Sequence, residues 1–203
     1  MFLSHNIADP SLQVAIKLFN KTKLTRDQIT RIREEVKILT TLDHPNIVKY
    51  YQTYEDTKYM YLVMEYCPGG ELFDKIASQK DQVFNESEAA NIMMKLLRAI
   101  NHCHAWGVTH RDIKPENIMY GDDGEIKLID FGLSKVLEEQ QNKGGRSLNT
   151  IAGTLAYMAP EVITEHYDPK HCDIWSLGVL MYLMVSGYLP FQGENRNMIY
   201  KKI

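Results

Sequence analysis

The chain has 203 residues, 44% apolar and 24% charged, with 23 Lys and Arg against 26 Asp and Glu for a net charge of −3. Those proportions are those of a globular chain able to bury a core, and they exclude disordered and collagen-like readings. The near-balance of charge does not suit a nucleic-acid backbone or a strongly anionic membrane, so neither is expected as a partner.

The first ten residues carry no Lys or Arg and no long apolar run, so they do not read as a secretory leader, and the cytoplasm is expected, with the nucleus left open. Cys67, Cys103 and Cys172 are scattered and form no C-x-x-C pair, which argues against a disulfide framework or zinc knuckle and for a reducing compartment. Residues 12–19 mix Val, Ile, Leu and Phe in a short run that predicts a strand. Thr25 and Gln28 make a capping-box pattern, and Ile29, Ile32, Val36 and Leu39 follow at helical spacing, so a helix is expected over 26–41. Asp43-His44-Pro45-Asn46 stops it, because the residue before proline is pushed out of the helical region. Aromatic-rich runs at 47–54 and 58–66, joined by 55–57, predict an antiparallel hairpin.

All 12 glycines lie at or after Gly69, and Cys67-Pro68-Gly69-Gly70 is the first breaker cluster. Beyond it the pattern is mainly helical. Asn85 and Glu88 cap a helix with Ile92, Met93, Leu96, Leu97, Ile100 and Cys103 on one face, ending near Gly107. A turn at 121–124 separates short apolar runs at 117–120 and 125–129, and residues 133–149 read as an exposed loop. Residues 173–185 predict a strongly apolar helix closed by Gly187, with another helix beginning near Glu194. A cleft between a small strand-rich part and a larger helical part is the natural place for a ligand.

Four motifs carry chemistry, in this order: Val14-Ala15-Ile16-Lys17; His110-Arg111-Asp112 with Asn117 five residues after the Asp; Asp130-Phe131-Gly132; and Ala159-Pro160-Glu161. Taken singly, Lys17 reads as a solvated strand lysine, and Asp112, Asn117 and Asp130 as turn residues. In this order and at these spacings they resemble the eukaryotic protein-kinase signature set, over the chain from about residue 12 to its end. The resemblance implies an α+β, bilobal protein-kinase-like fold. Residues 1–203 are then a partial kinase domain, with 1–66 a partial β-rich N-lobe lacking the Gly-rich loop and 67–203 a partial, mainly helical C-lobe lacking the last helices.

It also implies ATP and Mg²⁺ as cofactors and a role for each matching residue. Lys17 would hold the α- and β-phosphates, partnered by Glu35, which lies three residues from Ile32 and four from Leu39 and so borders the apolar face. Glu34 would be the solvated neighbour. Asp112 would orient the substrate hydroxyl and accept its proton, and Lys114 would stabilise the transferring phosphoryl group. Asn117 and Asp130 would offer oxygen ligands to Mg²⁺. Met64 would guard the back of the adenine pocket, the backbone of Glu65 and Cys67 would meet the base edge, and Ala15 and Met119 would sandwich the ring. Glu71 would face the ribose or a basic residue of the substrate, with Glu116 a second candidate for such a residue.

Lys114-Pro115-Glu116-Asn117, with Gly153-Thr154 ahead of Ala159-Pro160-Glu161, resembles serine/threonine rather than tyrosine kinases. By the resemblance, Arg111 would sense a phosphate on the activation loop. Thr150 and Ser147 are the candidate acceptors, Ser134 a weaker one, and an upstream kinase the implied partner. The stretches LDHPNIVKYYQTYED, PGGELFDKI and CDIWSLGVLMYLMVSGYLPF resemble the calcium- and calmodulin-dependent group, closest to the calcium-dependent kinases of plants and protists. The 203 residues contain no EF-hand loop. Residues 1–16 contain no glycine, where the family has its phosphate loop and the two strands that carry it, so an unpaired edge is expected at the 12–19 strand; lacking the family's last helices, the 173–185 helix is expected to expose apolar surface. The primary reading is a serine/threonine kinase. The alternative is a catalytically weak or inactive kinase-like binding module, and a metal-dependent hydrolase is a distant third.

Overall fold

Apolar side chains in the 13–20 run bury Val14, Ala15 and Phe19, and the segment forms a strand in the computed structural model, which describes residues 2–5, 12–131, 155–163 and 169–203. This strand, β2 (Gln13–Asn20), is preceded by a strand that was not expected, β1 (Phe2–His5). The two pair antiparallel, with Phe2 opposite Ile16 and Leu3 opposite Ala15. The unpaired edge expected of the 12–19 run is therefore corrected: β2 has a neighbour on each side. The backbone of residues 2–5 fills the ladder, and ladder bonds leave little trace in the side chains of so short a segment.

β3 (Tyr50–Glu55) and β4 (Tyr59–Glu65) make the expected hairpin and complete a four-stranded sheet of order β1-β2-β4-β3. The hairpin starts at Tyr50 rather than residue 47. Residues 46–48 run instead beside a second, two-stranded sheet of β5 (Ile118–Tyr120) and β6 (Ile126–Leu128). Val48 N–H donates to the Leu128 carbonyl at 3.0 Å, and Leu128 N–H donates to the Asn46 carbonyl at 2.9 Å. The buried Asn46 amide donates to the Ile126 carbonyl at 3.0 Å.

The capping box at the start of α1 (Arg26–Leu39) is reciprocal. Thr25 N–H donates to Gln28 Oε1 at 2.8 Å, and Gln28 N–H donates to Thr25 Oγ1 at 3.3 Å. Ile32, buried on this helix, packs with Phe19, Met60 and Leu62 of the sheet. α2 (Leu72–Ser78) follows the glycine pair, and α3 (Glu86–Ala105) is capped by Asn85, whose Oδ1 accepts from Glu88 N–H at 2.9 Å.

The inward face of α3 differs from the expected one at Leu97, which is 45% exposed, while Ala89 and Ala99 complete the buried stripe. α4 (Pro160–Ile163) leads to α5 (Pro169–Ser186), which begins four residues before the expected 173, and α6 (Arg196–Tyr200) is capped by Asn195. The main core joins α2, α3, α5 and the second sheet through Leu72, Leu96, Leu128, Leu177 and Leu180. On its other side α5 exposes Ile174, Met181 and Val185, as expected. Among the described residues no helix is long and apolar enough to cross a membrane. The loop expected at 133–149 lies outside the described residues.

Replacing the cap of α1 tests the packing of this helix on the sheet. Thr25→Ala is expected to lower stability by about 1 kcal/mol in urea unfolding, with Thr25→Ser restoring most of it. An unchanged midpoint in Thr25→Ala would show that the box adds nothing.

Candidate active site

The four-stranded sheet and the helical part meet at residues 65–70. Gly69 N–H donates to the Tyr120 carbonyl at 2.8 Å, and Tyr120 N–H donates to the Gly70 carbonyl at 2.9 Å. A Cβ on Gly69 would stand 2.5 Å from Tyr120 Cβ and 2.9 Å from its carbonyl oxygen, so this contact requires glycine. Glu65, at the end of β4, accepts from Lys49 N–H at 3.0 Å and pairs with Lys127 of β6 at 2.8 Å, fastening the sheet to the second one.

Beside this hinge lies a largely apolar pocket lined by Ala15, Met64, Glu65, Cys67, Met119 and Asp130. Ala15 and Met64 are direct partners across the β2–β4 ladder, and Met119 comes from the opposite sheet. Six residues singled out in the sequence thus converge on one cavity, from segments as distant as β2 and the end of β6. Glu71 forms a bridge with Met119, and its carboxyl is raised above its ordinary range by burial, then by Asp74 and Glu116.

Asp112, Lys114 and Asn117 form a second cluster. Asp112 Oδ2 accepts from Lys114 Nζ at 2.7 Å and from Asn117 Nδ2 at 2.8 Å, and the Asn117 amide also donates to the Asp112 carbonyl at 2.7 Å. The short 3₁₀ turn at Pro115–Asn117 brings Asn117 back over Asp112. Its amide nitrogen being committed, Asn117 keeps its side-chain oxygen for another partner.

Lys17 pairs with Asp130, joining β2 to the segment after β6. The backbone of Glu35 lies on α1, but its expected pairing with Lys17 falls outside the described side chains, as does that of Glu34. Ile129 N–H donates to the Asn117 carbonyl at 2.9 Å, which keeps Asp130 next to the second cluster. Asp130 Oδ2, without a hydrogen-bond partner among the described residues, and the Asn117 amide oxygen are hard donors that suit a hard divalent cation taking few protein ligands. Gly132, Ser134, Ser147 and Thr150 lie outside the described residues.

One residue was missed. Asp173, near the start of α5, has no solvent exposure, and its Oδ1 accepts from Arg111 N–H at 2.8 Å. Its Oδ2 accepts from His110 N–H at 3.0 Å and meets His104 Nε2 at 2.8 Å. The signal available in sequence was the one carboxylate of a strongly apolar helix, a place where such a group stays only with partners. Arg111 has φ +67° and Asp130 φ +61°, left-handed values uncommon outside glycine, and less so for an aspartate than for an arginine.

The protein kinase domain family matches residues 6–203. The chain belongs to that family. It is 45% identical over 194 residues to calcium-dependent protein kinase 5 of Plasmodium falciparum, covering 94% of this chain and 32% of the relative. It is 42% identical over 192 residues to CBL-interacting protein kinase 26 of Oryza sativa, covering 94% of this chain and 38% of the relative. To CBL-interacting serine/threonine-protein kinase 3 of Arabidopsis thaliana it is 39% identical over 192 residues, covering 94% of this chain and 43% of the relative. This chain therefore covers between 32% and 43% of the length of these curated relatives. Protein kinases as a family use ATP with a divalent cation and act on protein substrates.

Two measurements follow from this geometry. Asp173→Ala strands two buried backbone donors and is expected to cost about 2–5 kcal/mol in denaturant unfolding, whereas Lys17→Ala, at a part-exposed pair, costs under about 1 kcal/mol. Equal losses would contradict the anchoring role. Burial pushes the thiols of Cys67 and Cys172 up to about 11 and that of Cys103 to about 12. All three are expected to stay protonated at pH 8 and to resist alkylation until the chain unfolds. Rapid labelling of the native chain at that pH would contradict this.

Proposed function

We propose that this domain transfers the γ-phosphate of Mg-ATP to a serine or threonine hydroxyl of a protein substrate. The observation that carries the proposal is the Asp112 carboxylate, held by Lys114 at 2.7 Å and Asn117 at 2.8 Å beside the segment bearing Asp130. In this reading Asp112 Oδ2 receives the hydroxyl proton as the oxygen bonds to the γ-phosphorus, the bond from that phosphorus to the β-phosphate oxygen breaks and ADP leaves, while the Lys114 ammonium offsets charge on the moving phosphoryl group. Asn117 and Asp130 would hold Mg²⁺ through their side-chain oxygens. When bound, the cation supplies charge neutralisation at the phosphates. Lys17 leaves Asp130 to hold the α- and β-phosphates, with Glu35 orienting it.

The adenine ring lies between Ala15 and Met119, with Met64 behind it. The Glu65 carbonyl and the Cys67 N–H are the backbone groups for its edge: Glu65 N–H is taken by the Lys49 carbonyl at 2.8 Å, and Cys67 N–H has no backbone acceptor among the described residues. Glu71 and Glu116 favour a basic residue near the acceptor hydroxyl. An upstream kinase acting on Ser147 or Thr150, with Arg111 sensing the added phosphate, completes the reading. The test is transfer from labelled ATP and Mg²⁺ to a basic serine/threonine peptide, with Asp112→Asn as control. Transfer is expected, falling by about 10²-fold or more in the control. Absence of transfer from folded chain would replace this reading with that of a kinase-like binding module.

A further inference from the structure

On the face of the sheet part away from the hinge, a cavity opens between α1, the 3₁₀ turn after β2 and the β3–β4 turn. It is lined by Lys21, Arg26, Thr30, Arg33, Glu55 and Thr57, with Ile29 as an apolar wall. Three cations and one carboxylate line it, an excess of two positive charges among the lining residues, with the Asp56 carboxylate near Lys21 outside the lining. That carboxylate is shared: the same oxygen, Glu55 Oε1, takes Lys21 Nζ at 2.8 Å and Arg33 Nη2 at 2.6 Å. Lys21 also donates to the Asp56 carbonyl. The Arg26 guanidinium makes no hydrogen bond or ion pair among the described residues, and its backbone carbonyl is used by Thr30. Arg33 remains half exposed, at 53%, so its other donors stay open to solvent.

We propose that this cavity binds a phosphorylated serine or threonine of a peptide segment, separately from the site of phosphoryl transfer. The charge count selects the class. A phosphate monoester carries about −1.5 to −2 at neutral pH and three strong acceptor oxygens, matching the excess of two positive charges, whereas a carboxylate would leave part of it unbalanced. Arg33 and Arg26 are forked donors suited to two oxygens each, Lys21 is a point charge, and the Thr30 and Thr57 hydroxyls line the same cavity. Glu55 then acts as the resident competitor. It holds Lys21 and Arg33 in place without a ligand, and it opposes an incoming anion by its own charge.

The opposite effects of two substitutions make the test specific. Binding of a neutral peptide with one phosphoserine is measured by calorimetry on the whole chain, beside the unphosphorylated peptide and inorganic phosphate. Saturable binding is expected for the phosphopeptide alone, weakened about tenfold by Arg33→Gln and tightened severalfold by Glu55→Gln. Both positions are at the surface, and an unchanged circular dichroism spectrum shows that each variant is folded. Absence of saturable binding, or binding that Arg33→Gln leaves unchanged, overturns the proposal. Inorganic phosphate binding as tightly as the peptide also overturns it, assigning the cavity to a free anion.

Discussion

A carboxylate without solvent exposure lies beneath the turn that carries Asp112, and much of the site hangs from it. Asp173 accepts the consecutive backbone N–H groups of His110 and Arg111 and meets His104 from α3. A buried charge is tolerated only when its lone pairs are filled, and here two of the groups that fill them belong to the turn itself. The grip also offsets backbone strain: Arg111 sits at φ +67°, a conformation costing of order 1–3 kcal/mol unless its surroundings enforce it. From this anchor the bonds continue. His110 Nε2 donates to the Ile129 carbonyl at 2.7 Å, Ile129 N–H donates to Asn117, and Asn117 returns to Asp112. Phe131 packs edge-on against the His110 ring at 4.9 Å. Residues from three distant stretches are thereby held as one unit.

The second constraint is the junction of the two sheets. Residues 46–48 run beside β6, the Glu65–Lys127 pair spans the hinge, and Gly69 presses against Tyr120. These contacts lie close together and place Ala15 and Met64 of the large sheet across from Met119. The pocket follows from that apposition. Its apolar walls suit a flat ring, while Asp130, in the same lining, is charged and follows Ile129, whose N–H donates to the Asn117 carbonyl. A kinase domain needs this gradient, because the base is held by packing and the phosphates by charge.

Much of the architecture was legible in side-chain pattern. The caps of α1 and α3, the hairpin, the breaker at 67–70 and the apolar character of α5 are local properties, set by residues close together in the chain. Where the reading went astray, a backbone or long-range effect intervened. β1 is held by ladder bonds that its four side chains do not announce. Ile47 and Val48 look like the start of the hairpin strand, yet they are taken up by Leu128 in another sheet. Leu97 has the right character for the inner face of α3, but the helix turns it to solvent and gives the space to Ala89 and Ala99. Asp173 passed unnoticed because its partners lie 62 and 63 positions away in the chain.

By itself the sequence determined the kind of chemistry available: a strand lysine, a carboxylate with a lysine and an amide close behind it, a second aspartate ahead of Phe131, and a glycine hinge between unlike halves. Side-chain type and short spacing carry that information because each motif occupies one turn or one strand. Only the tertiary structure decided how the motifs meet. Lys17 faces Asp130, Asn117 bonds Asp112, and a buried aspartate from a distant helix holds the turn between them. Such pairings depend on the path of the chain through space, which the order of residues along it does not display.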